Sequence, residues 1–371
     1  MRNLAVHVAT ALLKLLYSLC SLFPTDNRWV LISRQSDEAP LDFRLMATWC
    51  QEQQPPIQAV ILSRQLHNPL AYIPEVFRQV FFIATSKAVV LDSYCIAVSL
   101  LGSTIKAPVV QIWHALGNMK RFGFTALDSE EGRNPETARL LHMHEGYDAI
   151  AVSSLSFRDD FAAGFDADPA LLFEAPLPRA DLLTAPASRT AQRAAVVGQH
   201  PQLQGKKTIV YCPTFRKVPA ANTEKAMTAL IGAVDFSRYN LVYKPHPVST
   251  QVIDDPRVLT IAGNNPDPLF AADYVISDYS TVIYEAGLLD VPVYLYAYDW
   301  DSYNQKRGMN IDLEHEVPTL FTADAQRILR AIENDDFNRE AYQAFTHANV
   351  AVPADESCTE HLCRSIMALT R

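Results

Sequence analysis

The sequence predicts an α/β protein built from two Rossmann-like domains that face each other across a cleft. The chain has 371 residues, more than one compact core usually holds, which suits two domains. Its short apolar runs are apolar throughout rather than alternating, as expected of parallel strands covered by helices on both faces. These runs also alternate with helical segments, which is the pattern of doubly wound sheets.

The composition argues against several classes of protein. Acidic residues outnumber basic ones by 41 to 32, for a net charge of −9, so a nucleic-acid-binding protein with a basic surface is not expected. The six cysteines are scattered and form no CxxC pair. Their spacing favours buried thiols in a reducing compartment over a disulfide framework or a zinc site.

Residues 1–23, MRNLAVHVATALLKLLYSLCSLF, contain Arg2 and Lys14 but no acid. Their polar residues recur every three or four positions, so they form one narrow stripe on an otherwise apolar helix. Lys14 interrupts the apolar region of a signal peptide, and the stripe argues against a spanning helix. We expect residues 1–24 to form an amphipathic helix in the bilayer interface, on the cytoplasmic face of the cell membrane. The alternative is a helix packed on the protein's own core.

The strand candidates follow in order after Pro24. They are Trp29–Ser33, Ala59–Ser63, Val80–Ala84, Ala88–Asp92, Val109–Trp113, Ile150–Ser153, Ile209–Cys212, Leu241–Lys244, Val258–Ile261, Tyr274–Ser277 and Val293–Tyr296. A stretch rich in Ala, Pro and Gln, residues 184–206, contains no candidate and predicts a domain boundary near residue 184. The predicted domains are residues 25–183 and residues 184–371.

Two strand ends resemble each other. AVVLDSY, residues 88–94, and YVISDYS, residues 274–280, each run from an apolar strand into Asp and small hydroxyl residues. This similarity favours two related halves. In open α/β sheets ligands bind at the carboxyl ends of the strands, which is where the candidate site residues fall.

The strongest local signal lies in ADYVISDYSTVIYEAGLLDVPVYLY, residues 272–296. A strand ends at Asp278, and Ser280 and Thr281 open a helix whose free N–H groups and hydroxyls suit a diphosphate. Glu285, one turn later, could accept hydrogen bonds from both ribose hydroxyls of a nucleotide. A capped helix with an exposed glutamate is the alternative.

Two further strand ends carry cations. IVYCPTFRK ends in Arg216 and Lys217, and LVYKPHPVS carries Lys244 and His246 between its prolines. Arginine suits bidentate phosphate binding, and lysine and histidine add positive charge. Because these loops and Ser280 converge on one sheet edge, the pattern favours binding of a diphosphate-linked nucleotide.

The stretch QIWHALGNMKRFGF, residues 111–124, delivers His114 from the end of a strand. A neutral imidazole can accept a proton from a hydroxyl, which is the task of a general base. Lys120 and Arg121 follow a Gly-Asn turn and are candidate anchors for an anionic acceptor or the leaving phosphate. The alternative is a structural histidine.

Two motifs look like metal sites but are not interpreted as such. Asp299 and Asp301 have the DxD form of a metal–nucleotide site, yet their Tyr-rich loop suggests contact with sugar or solvent. His142, His144 and Glu145 have no further ligands at useful spacing. No P-loop, GxGxxG or GxSxG motif is present.

Several motifs together resemble a known family. QIWHALGNMKRFG, PLPRADLL (176–183), YCPTFR, KPHP and ADYVISDYSTVIYEAGLLDVPVYLYAYDWDSY resemble, in order and spacing, the CDP-glycerol glycerophosphotransferases. These are the teichoic-acid and capsule primases and polymerases of the GT-B fold, and the resemblance covers roughly residues 25–330. The chain departs from the family pattern at Pro176, Phe215, Glu285 and Ala115, which leaves the polyol and the acceptor open.

The resemblance implies a role for individual residues. His114 matches the base that acts on the acceptor hydroxyl, and His246 matches the second essential histidine, which contacts the donor diphosphate. Arg216 matches a phosphate contact, and Ser280 and Thr281 match the helix start that holds the diphosphate. Family members also attach to the inner membrane face through amphipathic segments.

We therefore expect transfer of glycerol phosphate, or a related polyol phosphate, from a CDP-activated donor to a hydroxyl of a lipid-linked glycan or polyol acceptor. CMP leaves, and no metal or other cofactor is obligatory, because fixed cations and helix N–H groups stabilise the phosphoryl charge. One alternative is a GT-B glycosyltransferase or 2-epimerase that uses a UDP-sugar. Another is a non-catalytic nucleotide-binding component of a polysaccharide assembly complex.

Overall fold

The computed structural model describes residues 2–66, 68, 71–127, 129–130, 132–216, 223–246, 249, 251–262 and 267–370. The chain folds into two compact units. The first consists of Met1–Arg179 with Ala351–Arg371, and the second of Ala180–Val350.

The first unit is built on a six-stranded parallel sheet. Its strands are β1 (Arg28–Ser33), β2 (Gln58–Ser63), β3 (Ala88–Leu91), β4 (Val109–Gln111), β5 (Ala149–Val152) and β6 (Leu172–Glu174). They lie in the order β2-β1-β3-β4-β5-β6. Strands β1, β3, β4 and β5 are buried along their whole length, as predicted for parallel strands covered on both faces.

Helices connect these strands, and several of them pack on the sheet or on a neighbouring helix. They are α1 (Arg2–Cys20), α2 (Leu41–Glu52), α3 (Ile73–Thr85), α4 (Ile96–Leu101), α5 (Pro135–Leu140) and α6 (Arg158–Phe165). In α2 the buried apolar residues Phe43, Met46 and Cys50 follow helical spacing. Helix α5 begins after Asn134, whose side chain accepts a hydrogen bond from the Thr137 N–H at 3.0 Å.

The second unit contains another six-stranded parallel sheet. Its strands are β7 (Lys207–Cys212), β8 (Tyr239–Tyr243), β9 (Val258–Thr260), β10 (Tyr274–Ser277), β11 (Val293–Tyr296) and β12 (Phe321–Thr322). They lie in the order β12-β11-β10-β7-β8-β9. The two parallel α/β sheets confirm the predicted fold class.

The helices of the second unit cover this sheet. They are α7 (Ala180–Thr184), α8 (Pro186–Gln199), α9 (Thr223–Ala233), α10 (Asp267–Ala271), α11 (Val282–Leu288), α12 (Trp300–Arg307), α13 (Ala325–Glu333) and α14 (Arg339–Asn349). Helix α11 packs so closely on α14 that a Cβ added at Gly287 would lie 2.2 Å from the Thr346 hydroxyl oxygen. Glycine is therefore required at this contact.

The predicted division of the chain is wrong for residues 351–371. They end in α15 (Cys358–Leu369) and belong to the first unit, where α15 packs on α2. The Ala351 N–H donates to the Ser153 carbonyl at 2.8 Å, and the His361 Nε2 lies 3.1 Å from the Glu174 carbonyl oxygen. The chain first passes from the first unit to the second between Arg179 and Ala180, close to the predicted boundary near residue 184.

Three strand predictions also need correction. Val80–Ala84, predicted as a strand, lies within α3. Its buried residues Val80, Ile83 and Ala84 have helical spacing, and a five-residue apolar run is compatible with either structure. The short strands β6 and β12 were not predicted, since three and two residues carry little periodicity.

The six cysteines are free and buried, as the sequence predicted. Burial raises the pKa of the Cys50 and Cys212 thiols to about 12. These thiols therefore stay protonated at neutral pH and contribute to packing.

Helix α1 confirms the predicted amphipathic helix and has two apolar faces. One face packs on α3 and α4, where the buried Tyr17 hydroxyl accepts a hydrogen bond from the Lys106 N–H at 3.0 Å. The other face is exposed at Leu4, Val8, Leu12, Leu15 and Leu19, each at least half exposed. Within the described part of the chain, no helix combines the length and apolar character needed to cross a bilayer.

Candidate functional site

Each sheet has one point where the strand order reverses. In the first unit the chain places β2 on one side of β1 and β3 to β6 on the other. In the second it places β8 and β9 on one side of β7 and β10 to β12 on the other. Ligands of open parallel sheets bind at the carboxyl ends of the strands that flank such a reversal. These pairs of strands, β1 with β3 and β7 with β10, are called the switch points below.

His114 follows β4, the neighbour of β3 at the first switch point. Its Nδ1 lies 3.0 Å from the backbone carbonyl oxygen of Asp92. Because a carbonyl oxygen only accepts, Nδ1 of the neutral ring carries the proton. The lone pair is then on Nε2, as a general base requires.

The backbone around His114 is held in an uncommon conformation. Trp113 has a φ of 61°, in the left-handed region that bulky residues seldom adopt. Its N–H donates to the buried Gln111 side-chain oxygen at 2.9 Å, and its ring lies 4.2 Å from the His114 ring. On the far side of the loop the Gly117 N–H, at a φ of 74°, donates to the Ser153 hydroxyl at 2.9 Å. Such strain is often concentrated at functional sites.

The predicted anchors Lys120 and Arg121 lie at the end of the same loop. Arg121 is exposed and Lys120 is partly buried. The next residue, Phe122, is buried and packs against Trp113 with ring centroids 4.5 Å apart. The packing of Phe122 on Trp113 therefore fixes the backbone next to Lys120 and Arg121.

Asp92, at the end of β3, is a site residue that the sequence reasoning did not select. It is 4% exposed, and its Oδ1 has no hydrogen-bond partner among the described residues. Burial raises the pKa of Asp92 to about 7, against the opposing influence of the Ser33 and Ser93 hydroxyls. Arg179 is paired with Asp42 at 2.5 Å and offsets the charge of Asp92 only weakly. The similarity of AVVLDSY to YVISDYS is the signal in the sequence that could have identified Asp92.

At the second switch point, Arg216 forms a buried ion cluster. Its Nε and one terminal nitrogen donate to the two Asp299 oxygens at 2.6 and 2.7 Å. The same terminal nitrogen donates to Asp278 at 2.9 Å, and the other donates to the Thr214 carbonyl at 2.9 Å. Burial alone would lower the pKa of Arg216, but the two carboxylates raise it above its usual value.

Three tyrosine rings enclose the Arg216 guanidinium. The centroids of Tyr279, Tyr298 and Tyr303 lie 5.6, 5.0 and 5.5 Å from its central carbon. The Tyr279 hydroxyl also donates to Asp299 at 2.9 Å. The cluster thus links the loops after β7, β10 and β11.

This cluster corrects two predictions. Asp278 was predicted to contact the donor, but it is fully buried, and its Oδ1 accepts from the Thr214 and Tyr279 N–H groups at 2.8 and 2.6 Å. Asp299 was expected to contact sugar or solvent, but it is buried against Arg216. A carboxylate facing a diphosphate would repel it, whereas both carboxylates here neutralise a buried cation.

The other predicted donor-site residues follow β10 and β8, the two neighbours of β7 in the sheet. Helix α11 begins one residue later than predicted, with Thr281 at its N-cap, and the Ser280 hydroxyl accepts from the Val282 N–H at 3.4 Å. The charges of Lys244 and Glu285 both act on the buried Cys212 thiol at the end of β7. Lys244 and Glu285 are therefore both close enough to the end of β7 to affect the charge of the thiol there.

His246 lies in the loop after β8, the other neighbour of β7 in the sheet. Its side chain is exposed, and its ring centroid is 5.7 Å from that of Phe215. The exposed imidazole of His246 therefore lies beside the loop that carries Arg216.

The histidines at 142 and 144 have structural environments. His142 pairs with Glu145 at 2.9 Å on the surface, and His144 is buried with its Nδ1 3.0 Å from the Tyr147 hydroxyl. Burial lowers the pKa of His144 to about 3, so it stays neutral. Within the described residues there is no group of three His, Cys, Asp or Glu side chains arranged to hold a metal ion.

Comparison with known proteins now identifies the family. A family model described as CDP-glycerol:poly(glycerophosphate) glycerophosphotransferase matches residues 15–368. The chain belongs to this family. The predicted family and the predicted enzyme class are thereby confirmed.

The glycerophosphotransferase relatives include primases and polymerases. The teichoic acid ribitol-phosphate primase of Bacillus spizizenii is 25% identical over 90% of this chain and 89% of its own length. The teichoic acid glycerol-phosphate primase of Bacillus subtilis is 27% identical over 79% of this chain and 75% of its own. The poly(ribitol-phosphate) polymerase of Bacillus spizizenii is 26% identical, but the chain spans only 46% of its length.

Solved structures show the same fold. The wall teichoic acid polymerase TagF, in a variant structure, matches all of this chain and 97% of its own with a TM-score of 0.77 at 16% identity. A UDP-GlcNAc 2-epimerase from Neisseria meningitidis matches 92% of this chain and 99% of its own with a TM-score of 0.56 at 12% identity. The GT-B type of α/β fold is thus confirmed for this glycerophosphotransferase family member.

Proposed function

We propose that this protein transfers glycerol phosphate, or a related polyol phosphate, from a CDP-activated donor to a hydroxyl of a membrane-linked acceptor. The observation that carries the proposal is the hydrogen bond between the His114 Nδ1 and the Asp92 carbonyl. It leaves a basic Nε2 at the end of a strand beside a switch point, in a member of a glycerophosphotransferase family. The relatives named as teichoic acid primases and polymerases support a cell-wall polymer as the product.

The second unit is proposed to bind the donor. The hydroxyls of Ser280 and Thr281 and the cations Lys244 and His246 are suited to the diphosphate, since all follow the carboxyl ends of neighbouring strands. Glu285, partly exposed in α11, is proposed to accept from the ribose hydroxyls. Four of the five Arg216 N–H groups already have protein partners, so the largest contribution of Arg216 is to hold these loops in place.

The first unit is proposed to bind the acceptor and supply the base. The His114 Nε2 removes the proton of the acceptor hydroxyl as its oxygen attacks the phosphorus nearest the polyol. A new P–O bond forms, the bond from that phosphorus to the bridging oxygen breaks, and CMP leaves with the electron pair. Fixed cations stabilise the charge on the phosphoryl oxygens.

A donor screen with a lipid-linked acceptor extract tests this function. We expect CMP release and a polyol-phosphate adduct detected by mass spectrometry. His114→Ala should reduce turnover by roughly 10²–10⁴-fold, the usual contribution of a general base, with donor binding preserved. His315→Ala, which removes an exposed histidine, is the matched control. Undiminished turnover in His114→Ala would refute the assignment of the base.

The alternative donor is a UDP-sugar. We keep this alternative because a UDP-GlcNAc 2-epimerase has a similar fold. The same screen therefore includes UDP-sugars, and release of UDP or epimerised sugar would replace the polyol-phosphate proposal. Tight CDP-polyol binding without CMP release from any lipid acceptor would instead support a non-catalytic nucleotide-binding component.

The protein is further proposed to bind the cytoplasmic membrane surface peripherally through α1. The exposed apolar stripe from Leu4 to Leu19 continues at Leu22 and Phe23, which are 81% and 58% exposed. Phe77 of α3, 55% exposed, adds to the apolar surface on the helix that packs against α1. A contiguous exposed apolar surface of this kind suits a bilayer interface, where a lipid-linked acceptor resides.

A further inference from the structure

The switch point of the first unit carries two arginines that the proposed chemistry does not use. Arg34 directly follows β1, and its backbone N–H donates to the Ser93 hydroxyl at 3.1 Å. Its guanidinium donates to the Tyr94 carbonyl at 3.1 Å. Because β1 and β3 are the two strands that flank the reversal of strand order, this is where a ligand of the sheet is expected.

Arg133 reaches the same tyrosine from the loop before α5. The central guanidinium carbons of Arg133 and Arg34 lie 4.9 and 6.0 Å from the centroid of the Tyr94 ring. Two like charges on one ring repel each other. Each also lowers the pKa of the Tyr94 hydroxyl, but burial outweighs this effect and the pKa is raised to about 12. The local charge is thus positive.

The described residues do not provide Arg34 and Arg133 with a full set of hydrogen-bond and ion-pair partners. The Arg34 Nε is buried and has no hydrogen-bond partner among the described residues. Neither Arg34 nor Arg133 forms an ion pair with a carboxylate of any residue that the structure describes. Glu75, whose charge also acts on the neighbouring Tyr72, is paired with Arg78 at 3.0 Å. A buried guanidinium N–H without an acceptor is costly, and a bound anion would remove that cost.

The loop of Asp92, Ser93 and Tyr94 connects these arginines to His114. The carbonyl of Asp92 holds the His114 ring, and the carbonyl of Tyr94, two residues later, holds Arg34. Two residues span no more than about 7 Å of chain, so the imidazole and the guanidinium lie within about 15 Å of each other. One acceptor molecule is therefore long enough to place a hydroxyl at His114 and an anionic group at Arg34.

We propose that Arg34 and Arg133, together with Tyr94, form a subsite for a phosphate group of the acceptor. This inference rests on the proposed function. A guanidinium fork matches phosphate geometry, and the proposed transfer leaves a phosphodiester beside a new free hydroxyl. The acceptor that fits this subsite already carries a polyol phosphate near its end, so the protein extends such an acceptor in preference to adding the first unit to a phosphate-free glycan.

Kinetics with paired acceptors test the subsite. One acceptor carries a polyol-phosphate end and the other is the same lipid-linked glycan without it. Arg133→Ala and Arg34→Lys should raise the KM for the phosphate-bearing acceptor roughly tenfold to a hundredfold, the loss of one or two charge-assisted hydrogen bonds. The KM for the CDP donor and the turnover of the phosphate-free acceptor should stay unchanged. Arg139→Ala, an exposed arginine of α5, is the matched control.

Binding of glycerol 3-phosphate, measured by calorimetry without any donor, separates this inference from the proposed function. Loss of that binding in Arg133→Ala and Arg34→Lys supports the subsite even if no CMP release is found with any acceptor. Unchanged binding in both variants, or an equal loss of turnover with both acceptors, overturns it. Arg133 is more than a third exposed, so its replacement leaves folding intact and keeps the test decisive.

Discussion

The Nδ1 of His114 lies 3.0 Å from the backbone carbonyl oxygen of Asp92, the first residue after β3. The partner is a backbone atom, so the orientation of the ring depends on the course of the chain and not on the side chain at position 92. The buried carboxyl of Asp92 is consequently available for a separate role.

The first prediction concerns the tautomer of His114. We expect the neutral ring to carry its proton on Nδ1, because the carbonyl oxygen of Asp92 accepts from it. Two-bond ¹⁵N–¹H spectra of the ¹⁵N-histidine-labelled protein above pH 8 should show a protonated Nδ1 and an unprotonated Nε2. The surface residue His315 serves as an internal reference. A protonated Nε2 at His114 would contradict the proposed direction of proton transfer.

The second prediction concerns the stability cost of Asp92. Its pKa is about 7 in the folded protein against 3.8 for an ordinary aspartate, because burial disfavours the charged form. The folded state therefore binds the proton more tightly, and stability is lost as pH rises from about 4 to about 7. At roughly 1.4 kcal/mol per unit the loss is on the order of 4 kcal/mol.

Asp92→Asn removes that pH dependence and should raise the free energy of unfolding at pH 8 by a few kcal/mol, with little change at pH 4. Urea unfolding at both pH values measures it, and Asp355→Asn, at an exposed position, is the control. Because asparagine keeps the backbone carbonyl, His114 should keep its tautomer. An equal effect of Asp92→Asn at both pH values would show that folding does not raise the pKa of Asp92.

The positions of the site residues could be predicted from the sequence, but their partners could not. Apolar runs ending in polar residues locate strand ends, and parallel sheets bring those ends to one edge. The pairing of Arg216 with Asp299 joins residues 83 positions apart, and no local periodicity encodes it. The DxD pattern therefore suggested a ligand contact where the fold uses one of its aspartates to neutralise a cation.

The similar segments AVVLDSY and YVISDYS place an aspartate at equivalent positions in the two units. Asp92 and Asp278 each directly follow a strand that flanks a switch point, and both are buried. Asp278 is compensated by Arg216, whereas the neighbouring Arg34 donates instead to the Tyr94 carbonyl. Similar sequence thus predicted similar position, while the difference in charge compensation arises from the side chains packed around each carboxyl.

The third prediction concerns the Arg216 cluster. Arg216→Ala leaves the two buried carboxylates of Asp278 and Asp299 without their cation, which should cost about 3–5 kcal/mol of unfolding free energy. Arg257→Ala removes an exposed ion pair with Asp255 and should change the free energy of unfolding far less, because solvent screens such a pair. Denaturant unfolding of both variants gives the comparison. Similar small losses for both would mean that the cluster is not needed for stability.

The fourth prediction concerns membrane binding. Leu12→Glu places a charge in the exposed apolar stripe of α1, where Leu12 is 61% exposed and makes little contribution to the protein's own core. Removing a leucine from the interface and adding a charge should weaken binding to vesicles of phosphatidylcholine and phosphatidylglycerol by at least about tenfold. Ser18→Glu adds the same charge to the polar stripe of the same helix, so it should retain most of the binding. Co-sedimentation of both variants separates the apolar contribution from the electrostatic one, since an equal loss for both would mean that charge rather than the apolar stripe governs binding.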